Sequence, residues 1–126
     1  MSKLSAVENF GKALSRLREF VAAPIVDDRD RAGIIQAFEF TFEQCWKAFQ
    51  HIAAAQGIVA VSPRQALEAA LRLKLIRHED EESWVDMLRD RNVTSHVYQE
   101  AAVVEIAGRV VERYLPLLED AYRNCG

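Results

Sequence analysis

The chain has 126 residues, half of them apolar, and a formal net charge of −3. This length and apolar content suit one ordinary domain, so we expect residues 1–126 to form a single helical bundle domain. The acidic balance excludes a protein that coats nucleic acid without specificity, because such proteins are basic overall.

Two long amphipathic segments open the chain. Apolar residues recur at steps of three and four over residues 3–22, which predicts a first helix that ends before Pro24. The same periodicity predicts a second helix over residues 30–56. The aspartates between residues 27 and 30 are good N-caps for this second helix, and Gly57 is a natural C-cap.

A short helix should follow, from residue 63 to about residue 73. Residues 58–61 are apolar but have no strand partner nearby, so we expect a loop that buries them. Ser62, Pro63 and Gln65 have the spacing of an N-cap, a first helical position and a capping box.

Patterns in the last third of the sequence predict two more long helices. Acidic residues at 79–82 favour a helix start near Ser83, because negative charge is stabilised at a helix N-terminus. Residues 92–95 are four weak helix formers, which predicts a break, and a final helix should run over residues 97–123 with a bend at Pro116. Four long helices, one short helix and short connections predict an all-α, antiparallel up-and-down four-helix bundle with one extra short helix.

Residues 91–98 contain the strongest candidates for chemistry. Arg91 can hold a phosphate through parallel hydrogen bonds, and His96 can take a proton near neutral pH from a ribose hydroxyl. Such a pair can cleave RNA without a metal, because the hydroxyl attacks the neighbouring phosphate and leaves a cyclic phosphate end. Asn92 and Tyr98 complete the segment.

Geometry leaves alternatives open for this segment. On an unbroken helix, positions five apart differ in direction by about 140°, so Arg91 and His96 do not share a face. Either the helix breaks within residues 92–95, or two copies of the chain build the site together. The simpler interpretation, which spacing alone favours, pairs Arg91 with the acidic residues 79–82 and makes His96 a helix cap.

Other polar residues have simpler roles. Glu39 and Glu43 lie four apart and are candidates for paired acids, but a solvated helix face or an ion pair with Lys47 is the favoured interpretation. The histidines and cysteines lack metal-ligand spacing, so we expect neither a metal nor a cofactor. Two unpaired cysteines, no signal-peptide core and no apolar stretch of about 20 residues predict a cytoplasmic protein. Three groups of residues are expected to be core or solvated surface: Trp46 with Trp84, His51 with His78, and Arg72 with Lys74 and Arg77.

Several segments in order resemble the HEPN superfamily, specifically its branch of nucleotidyltransferase substrate-binding proteins. The resemblance spans nearly the whole chain, and the ordered combination is more specific than any one motif. The segments are 38–43 (Phe-Glu-Phe-Thr-Phe-Glu), Trp46-Lys47, 62–64 (Ser-Pro-Arg), Trp84 with Met87-Leu88, Arg91-Asn92 and 96–98 (His-Val-Tyr).

The resemblance implies a bundle that forms a homodimer and has a small nucleotidyltransferase as its partner. In related pairs the HEPN chain is a toxin that cleaves RNA and the nucleotidyltransferase is its antitoxin. Arg91 and His96 are then catalytic, Asn92 orients them, and Tyr98 is the site of a regulatory modification. Two other hypotheses remain: a non-catalytic subunit that presents substrate to the nucleotidyltransferase, and a purely structural helical dimer.

Overall fold

A computed structural model describes residues 2–95 and 100–126. The described residues are almost entirely helical and include no strand, which confirms the predicted all-α class. None of these helices is long and apolar enough to cross a membrane. The helices are α1 (Lys3–Ala22), α2 (Asp28–Ala55), α3 (Pro63–Arg72), α4 (Glu81–Thr94), α5 (Glu100–Arg109) and α6 (Leu115–Cys125), with a 3₁₀ turn at His78–Asp80 and a π-helical turn at Val110–Tyr114.

The ends of α2 show how local sequence sets a helix. The Asp27 carboxylate accepts from the amides of Arg29 and Asp30, and the Asp30 carboxylate accepts in return from the amide of Asp27. This capping box starts the helix two residues before the predicted position. Gly57 has a φ of 79° after the last turn, a conformation that costs glycine little, and confirms the predicted stop.

The entry to α3 differs from the prediction in two details. Ser62 accepts from the Gln65 amide as expected, but the Gln65 side-chain oxygen accepts from the amide of Val61 rather than that of Ser62. Of the apolar residues before it, Ala60 is buried, whereas Val59 and Val61 are exposed. The expectation that this loop buries its apolar residues is therefore wrong for the two valines, whose neighbours pack little against them.

A break is predicted within residues 92–95, and α4 ends inside this stretch, at Thr94, with Ser95 as its C-cap. Helix α4 continues through Asn92 and Val93 to Thr94, whose hydroxyl donates 2.8 Å to the Arg91 carbonyl. Weak helix propensity is overridden here because Val93 packs against the core. The predicted start of the last helix, at residue 97, lies outside the described residues.

The last helical segment is interrupted by its π-helical turn. Proline has no N–H and its ring collides in a regular helix with the carbonyl four residues earlier, which for Pro116 is that of Glu112, a residue of this turn. The structure thus shows a widened turn one turn before Pro116, and the bend at Pro116 stays a prediction.

Helix α2 lies at the centre and contacts each of the other α-helices. The Thr41 hydroxyl donates 3.1 Å to the Ala13 carbonyl, which ties α2 to α1. The rings of Phe49 and Trp84 lie 5.8 Å apart between α2 and α4. Phe38 stacks on Tyr114 of the π-helical turn at 5.6 Å. One continuous apolar core joins these contacts.

Candidate functional site

Arg91 lies in the last turns of α4 and reaches across to α2. Its Nη2 donates to Oε2 of Glu43 over 2.8 Å, between residues 48 positions apart in the chain. The Arg91 side chain is 29% exposed, so the guanidinium is neither sealed in the core nor free in solvent. The predicted alternative pairing of Arg91 with residues 79–82 is wrong, because the acidic side chain that contacts it comes from α2.

Glu43 is held in turn by its own helix. Trp46 Nε1 donates 3.0 Å to the same Oε2, and Lys47 Nζ lies 3.5 Å from Oε1, which confirms the predicted pair with Lys47. Partial burial is the largest influence and pushes the pKa of Glu43 upward. The hydrogen bond from Trp46 and the charges of Arg91 and Lys47 outweigh it, so the pKa lies below its usual value. Glu43 is therefore a carboxylate at neutral pH and restrains the Arg91 guanidinium through one charge-assisted hydrogen bond.

Asn92 follows Arg91 at the surface. Its Oδ1 lies 3.4 Å from Arg91 Nη1, a long contact that leaves the amide exposed to solvent. The other two predicted site residues, His96 and Tyr98, lie outside the described residues. The structure therefore places Arg91 and Asn92 together at the C-terminal end of α4, and the roles of His96 and Tyr98 stay predictions.

A second polar cluster begins one residue earlier, at Asp90. This side chain is buried. Arg109 donates two hydrogen bonds to it, from Nε to Oδ2 at 2.7 Å and from Nη2 to Oδ1 at 3.0 Å. The Tyr114 hydroxyl donates to Oδ2 as well. Burial pushes the pKa of Asp90 upward, but the bonds from Arg109 and Tyr114 prevail and hold the pKa below its usual value. The carboxylate is charged although it is almost inaccessible to water.

Sequence reasoning did not find this second cluster. The sequence assigned no functional role to Asp90, Arg109 or Tyr114, and the structure buries Asp90 and Tyr114. A signal was present, since Asp90 occupies a position with apolar neighbours Met87 and Leu88 on a helix that packs inward. A carboxylate there needs a partner, but its identity depends on tertiary packing.

The remaining candidates have the simpler roles expected of them. Trp84 is buried against Phe49, and Trp46 is half-buried with its indole N–H on Glu43. Arg77 pairs with Asp80 at 3.1 Å, and Arg72 and Lys74 lie at least partly in solvent. Within residues 2–95 and 100–126, no group of three or more histidine, cysteine, aspartate or glutamate side chains is arranged to hold a metal ion.

Chemically, the Arg91 end of α4 is suited to binding an anion. One N–H of Nη2 is engaged by Glu43, and the guanidinium has five N–H donors in a planar fork. Glu43 restrains the guanidinium at Nη2, Asn92 lies 3.4 Å from Nη1, and the side chain as a whole is 29% exposed. A phosphate oxygen suits such donors, because bidentate bonds to a guanidinium are short and strong.

The sequence of this chain matches a known family over almost its full length. Residues 5–125 match the family described as nucleotidyltransferase substrate binding protein like. The chain belongs to this family. The prediction from the ordered motifs is therefore confirmed at the level of the family.

Solved structures agree with this family membership. A protein from Thermus thermophilus is 31% identical, with a TM-score of 0.83 over 92% of this chain and 98% of the other. A tri-AMPylated Shewanella oneidensis HEPN toxin, solved in complex with its MNT antitoxin, is 19% identical with a TM-score of 0.77 over 97% and 94%. The toxin–antitoxin MntA-HpeT is 17% identical with a TM-score of 0.77 over 97% and 95%. The Shewanella toxin and MntA-HpeT thus share the fold of this chain. Among curated proteins, no sequence matches it significantly.

Proposed function

We propose that this chain is the HEPN component of a toxin–antitoxin pair and cleaves RNA without a metal, silenced by a small nucleotidyltransferase partner. The family assignment and the similarity in fold to HEPN toxins solved with their antitoxins support this pairing. The observation that carries the proposal is the half-exposed Arg91 guanidinium, which the Glu43 carboxylate holds from one side. An oriented arginine of this kind is suited to binding the scissile phosphate.

The reaction is a transesterification within the RNA strand. His96 takes the proton of a ribose 2′-hydroxyl, and the 2′-oxygen attacks the adjacent phosphorus. The bond to the 5′-oxygen of the next nucleotide breaks, and that oxygen leaves with a proton returned from the histidine. The products are a 2′,3′-cyclic phosphate and a 5′-hydroxyl end. Arg91 stabilises the charge that develops on the phosphate oxygens, and Asn92 orients the pair.

Two copies of the chain complete this site in the proposal. We infer that the long helical segments form an up-and-down bundle with α3 as the additional short helix. The order of the contacts supports alternating helix directions. Along α2 and α4, Glu43 meets Arg91 and Phe49 meets Trp84, so residue numbers rise on one helix as they fall on the other. The pairs 90 with 109 and 86 with 113 give the same pattern between α4 and the last helical segment, and Thr41 joins α2 to α1. A two-fold axis would bring two Arg91 and two His96 side chains into one cleft. Light scattering at micromolar concentration tests the dimer, and a monomer would contradict the shared site.

Silencing is proposed to act through Tyr98. Attachment of a nucleoside monophosphate to its hydroxyl places a phosphodiester close in sequence to Arg91, where its charge pairs with the guanidinium and its bulk excludes RNA. The name of the tri-AMPylated toxin supports modification as the means of control. Co-expression with the nucleotidyltransferase should add mass in units of a nucleoside monophosphate, and Tyr98→Phe should prevent it. An adduct mapped to another residue would contradict the role of Tyr98.

Cleavage of RNA by the purified protein tests the main proposal. We expect wild-type protein to generate cyclic phosphate ends in the presence of EDTA and to inhibit growth when expressed alone. Arg91→Ala and His96→Ala should each abolish both effects while circular dichroism remains that of the wild type. Arg89→Ala is the matched control, because Arg89 lies on the same helix, is exposed and pairs with Asp86. Intact RNA with wild-type protein would contradict the proposal.

One observation favours a second function, in which the chain binds substrate for its partner without chemistry of its own. The charge of Arg91 is already compensated by Glu43, as suits a binding group that must remain stable without ligand. The family description refers to substrate binding as well. In that case expression alone is harmless, and addition of the chain alters nucleotide turnover by the nucleotidyltransferase.

A further inference from the structure

The buried carboxylate of Asp90 lies next in sequence to the arginine of the proposed site. Its two oxygens receive three donors, two from Arg109 of α5 and one from Tyr114 of the π-helical turn. The side chain is only 5% exposed, compared with 29% for Arg91. One residue of α4 thus anchors the helix inside the protein, and the next residue presents a guanidinium at its edge.

The π-helical turn explains how both donors reach one carboxylate. Arg109 and Tyr114 are five residues apart, and on a regular α-helix their side chains would point about 140° apart. The widened turn at Val110–Tyr114 closes with bonds to the fifth residue, as in the bond from the Leu115 amide to the Val110 carbonyl. This turn brings residues five apart toward the same face, so that both side chains contact Asp90.

The geometry of this contact restricts how α4 can lie. A guanidinium that forms two parallel bonds with a carboxylate fixes both distance and orientation, whereas a single bond restrains the orientation less tightly. Tyr114 is itself fixed, because its ring is fully buried and stacks on Phe38 of α2. Rotation or sliding of α4 against its neighbours would therefore break several bonds at once.

We infer that Asp90 is a positioning residue that fixes the rotation of α4 and so directs the Arg91 guanidinium to its place beside Glu43. This inference rests on the proposed function in one respect, since the group that it positions is the proposed phosphate-binding arginine. A purely stabilising role is a weaker explanation, because a buried ion pair often contributes little net stability compared with apolar residues of similar size. The effect of the Asp90–Arg109 pair is instead to hold α4 in a single arrangement.

The exposed pair between Asp86 and Arg113 provides a matched control. It joins α4 to the same π-helical turn, with 3.3 Å between Arg113 Nη2 and Asp86 Oδ2, and its side chains are 43% and 22% exposed, compared with 5% for Asp90. Arg109→Lys and Arg113→Lys each keep the positive charge and remove the planar fork. Only Arg109 contacts Asp90. The Arg113 guanidinium lies 5.7 Å from the centroid of the Tyr114 ring, where lysine also keeps a positive charge.

Kinetics of RNA cleavage give the first readout. For Arg109→Lys we expect kcat to fall at least tenfold while KM changes less than about threefold, because the arginine is misdirected in the transition state. Arg113→Lys should keep both constants within about twofold of wild type. All proteins are compared at a temperature at which circular dichroism shows them fully folded.

The indole N–H of Trp46 gives a second readout that needs no nuclease activity. It donates to the same Glu43 oxygen as Arg91, so its resonance in a ¹H–¹⁵N spectrum reports whether Arg91 is in place. Arg91→Ala defines the resonance expected when the arginine is absent. In Arg109→Lys the resonance should move toward that position, and in Arg113→Lys it should not move. Tyr114→Phe, which removes only the hydroxyl, should give a smaller shift in the same direction.

The two readouts separate the inference from the proposed function. If the wild-type protein leaves RNA intact, the nuclease proposal fails, while the Trp46 resonance still tests the positioning of Arg91. If that resonance is unchanged in folded Arg109→Lys and Tyr114→Phe, the inference is overturned whatever the nuclease result. An equal fall in kcat for Arg113→Lys would overturn it as well.

Discussion

Neighbouring residues on α4 use the same chemistry in opposite settings. Asp90 and Arg91 each form a carboxylate–guanidinium pair with another helix, Asp90 with Arg109 and Arg91 with Glu43. Their directions differ by about 100°, so one side chain enters the core while the other remains at the surface. The Asp90 carboxylate is enclosed by protein donors, and the half-exposed pair retains access to solvent.

This difference separates rigidity from reactivity. A charge buried without water depends on its protein partners, so the pair at Asp90 tolerates few changes in geometry. A half-exposed charge exchanges partners at low cost, because solvent screens it and replaces lost bonds. The comparison thus predicts large stability effects around Asp90, and small stability effects with large functional effects around Arg91.

Removal of the buried carboxylate should have the largest effect on stability. We expect Asp90→Ala to lower the free energy of unfolding by about 2–4 kcal/mol, because it leaves the buried Tyr114 hydroxyl and part of the Arg109 charge without a partner. Arg109 is 32% exposed and regains some hydration, which limits the loss. Urea denaturation measures the change. A loss below about 1 kcal/mol would show that the two clusters do not differ in this way.

Acid should have the second-largest effect, by weakening the cluster around Asp90. The folded pKa of Asp90 is lowered, so its charge contributes stability above the unfolded value of about 3.9, and this contribution is lost as pH falls through the folded pKa. Unfolding free energy of the wild type should therefore fall between about pH 5 and pH 2 more steeply than that of Asp90→Asn. Denaturation at several pH values measures both slopes, and equal slopes would contradict the assignment.

A change in the pair of Glu43 and Arg91 should lower stability less than removal of Asp90. We expect Glu43→Gln to lower the unfolding free energy by at most about 1 kcal/mol, since the pair is partly solvated and glutamine retains an oxygen for Trp46. RNA cleavage should nevertheless fall at least tenfold, because Arg91 loses the charge that orients it. Glu39→Gln, one turn earlier on the same helix, is the control and should leave cleavage near the wild-type rate.

The exposed pair between Asp86 and Arg113 should show the smallest effect. We expect Asp86→Ala, which removes the pairs with Arg113 and Arg89, to change the unfolding free energy by no more than about 0.5 kcal/mol, because both arginines are largely exposed. Thermal unfolding in low and high salt measures the change and its screening. A loss comparable to that of Asp90→Ala would mean that burial does not determine the strength of the contacts between α4 and the last helical segment.

Local sequence determined most of the helices. The start of α2 follows from Asp27 and Asp30, and its end follows from Gly57, because capping bonds act within one turn. The apolar periodicity likewise predicted α1 with the bounds that the structure shows. The continuation of α4 through Asn92 was not predictable from propensity, since packing of Val93 against the core decides it.

The sequence by itself determined the helical class and the family, and it selected Arg91 as a candidate, because periodicity, caps and ordered motifs are local properties of the chain. Tertiary structure alone decided which partners the two clusters use. Glu43 lies 48 residues from Arg91, and Arg109 and Tyr114 lie 19 and 24 residues from Asp90. Such partners meet only once separate helices have packed, and the register of that packing depends on the whole core rather than on any one segment.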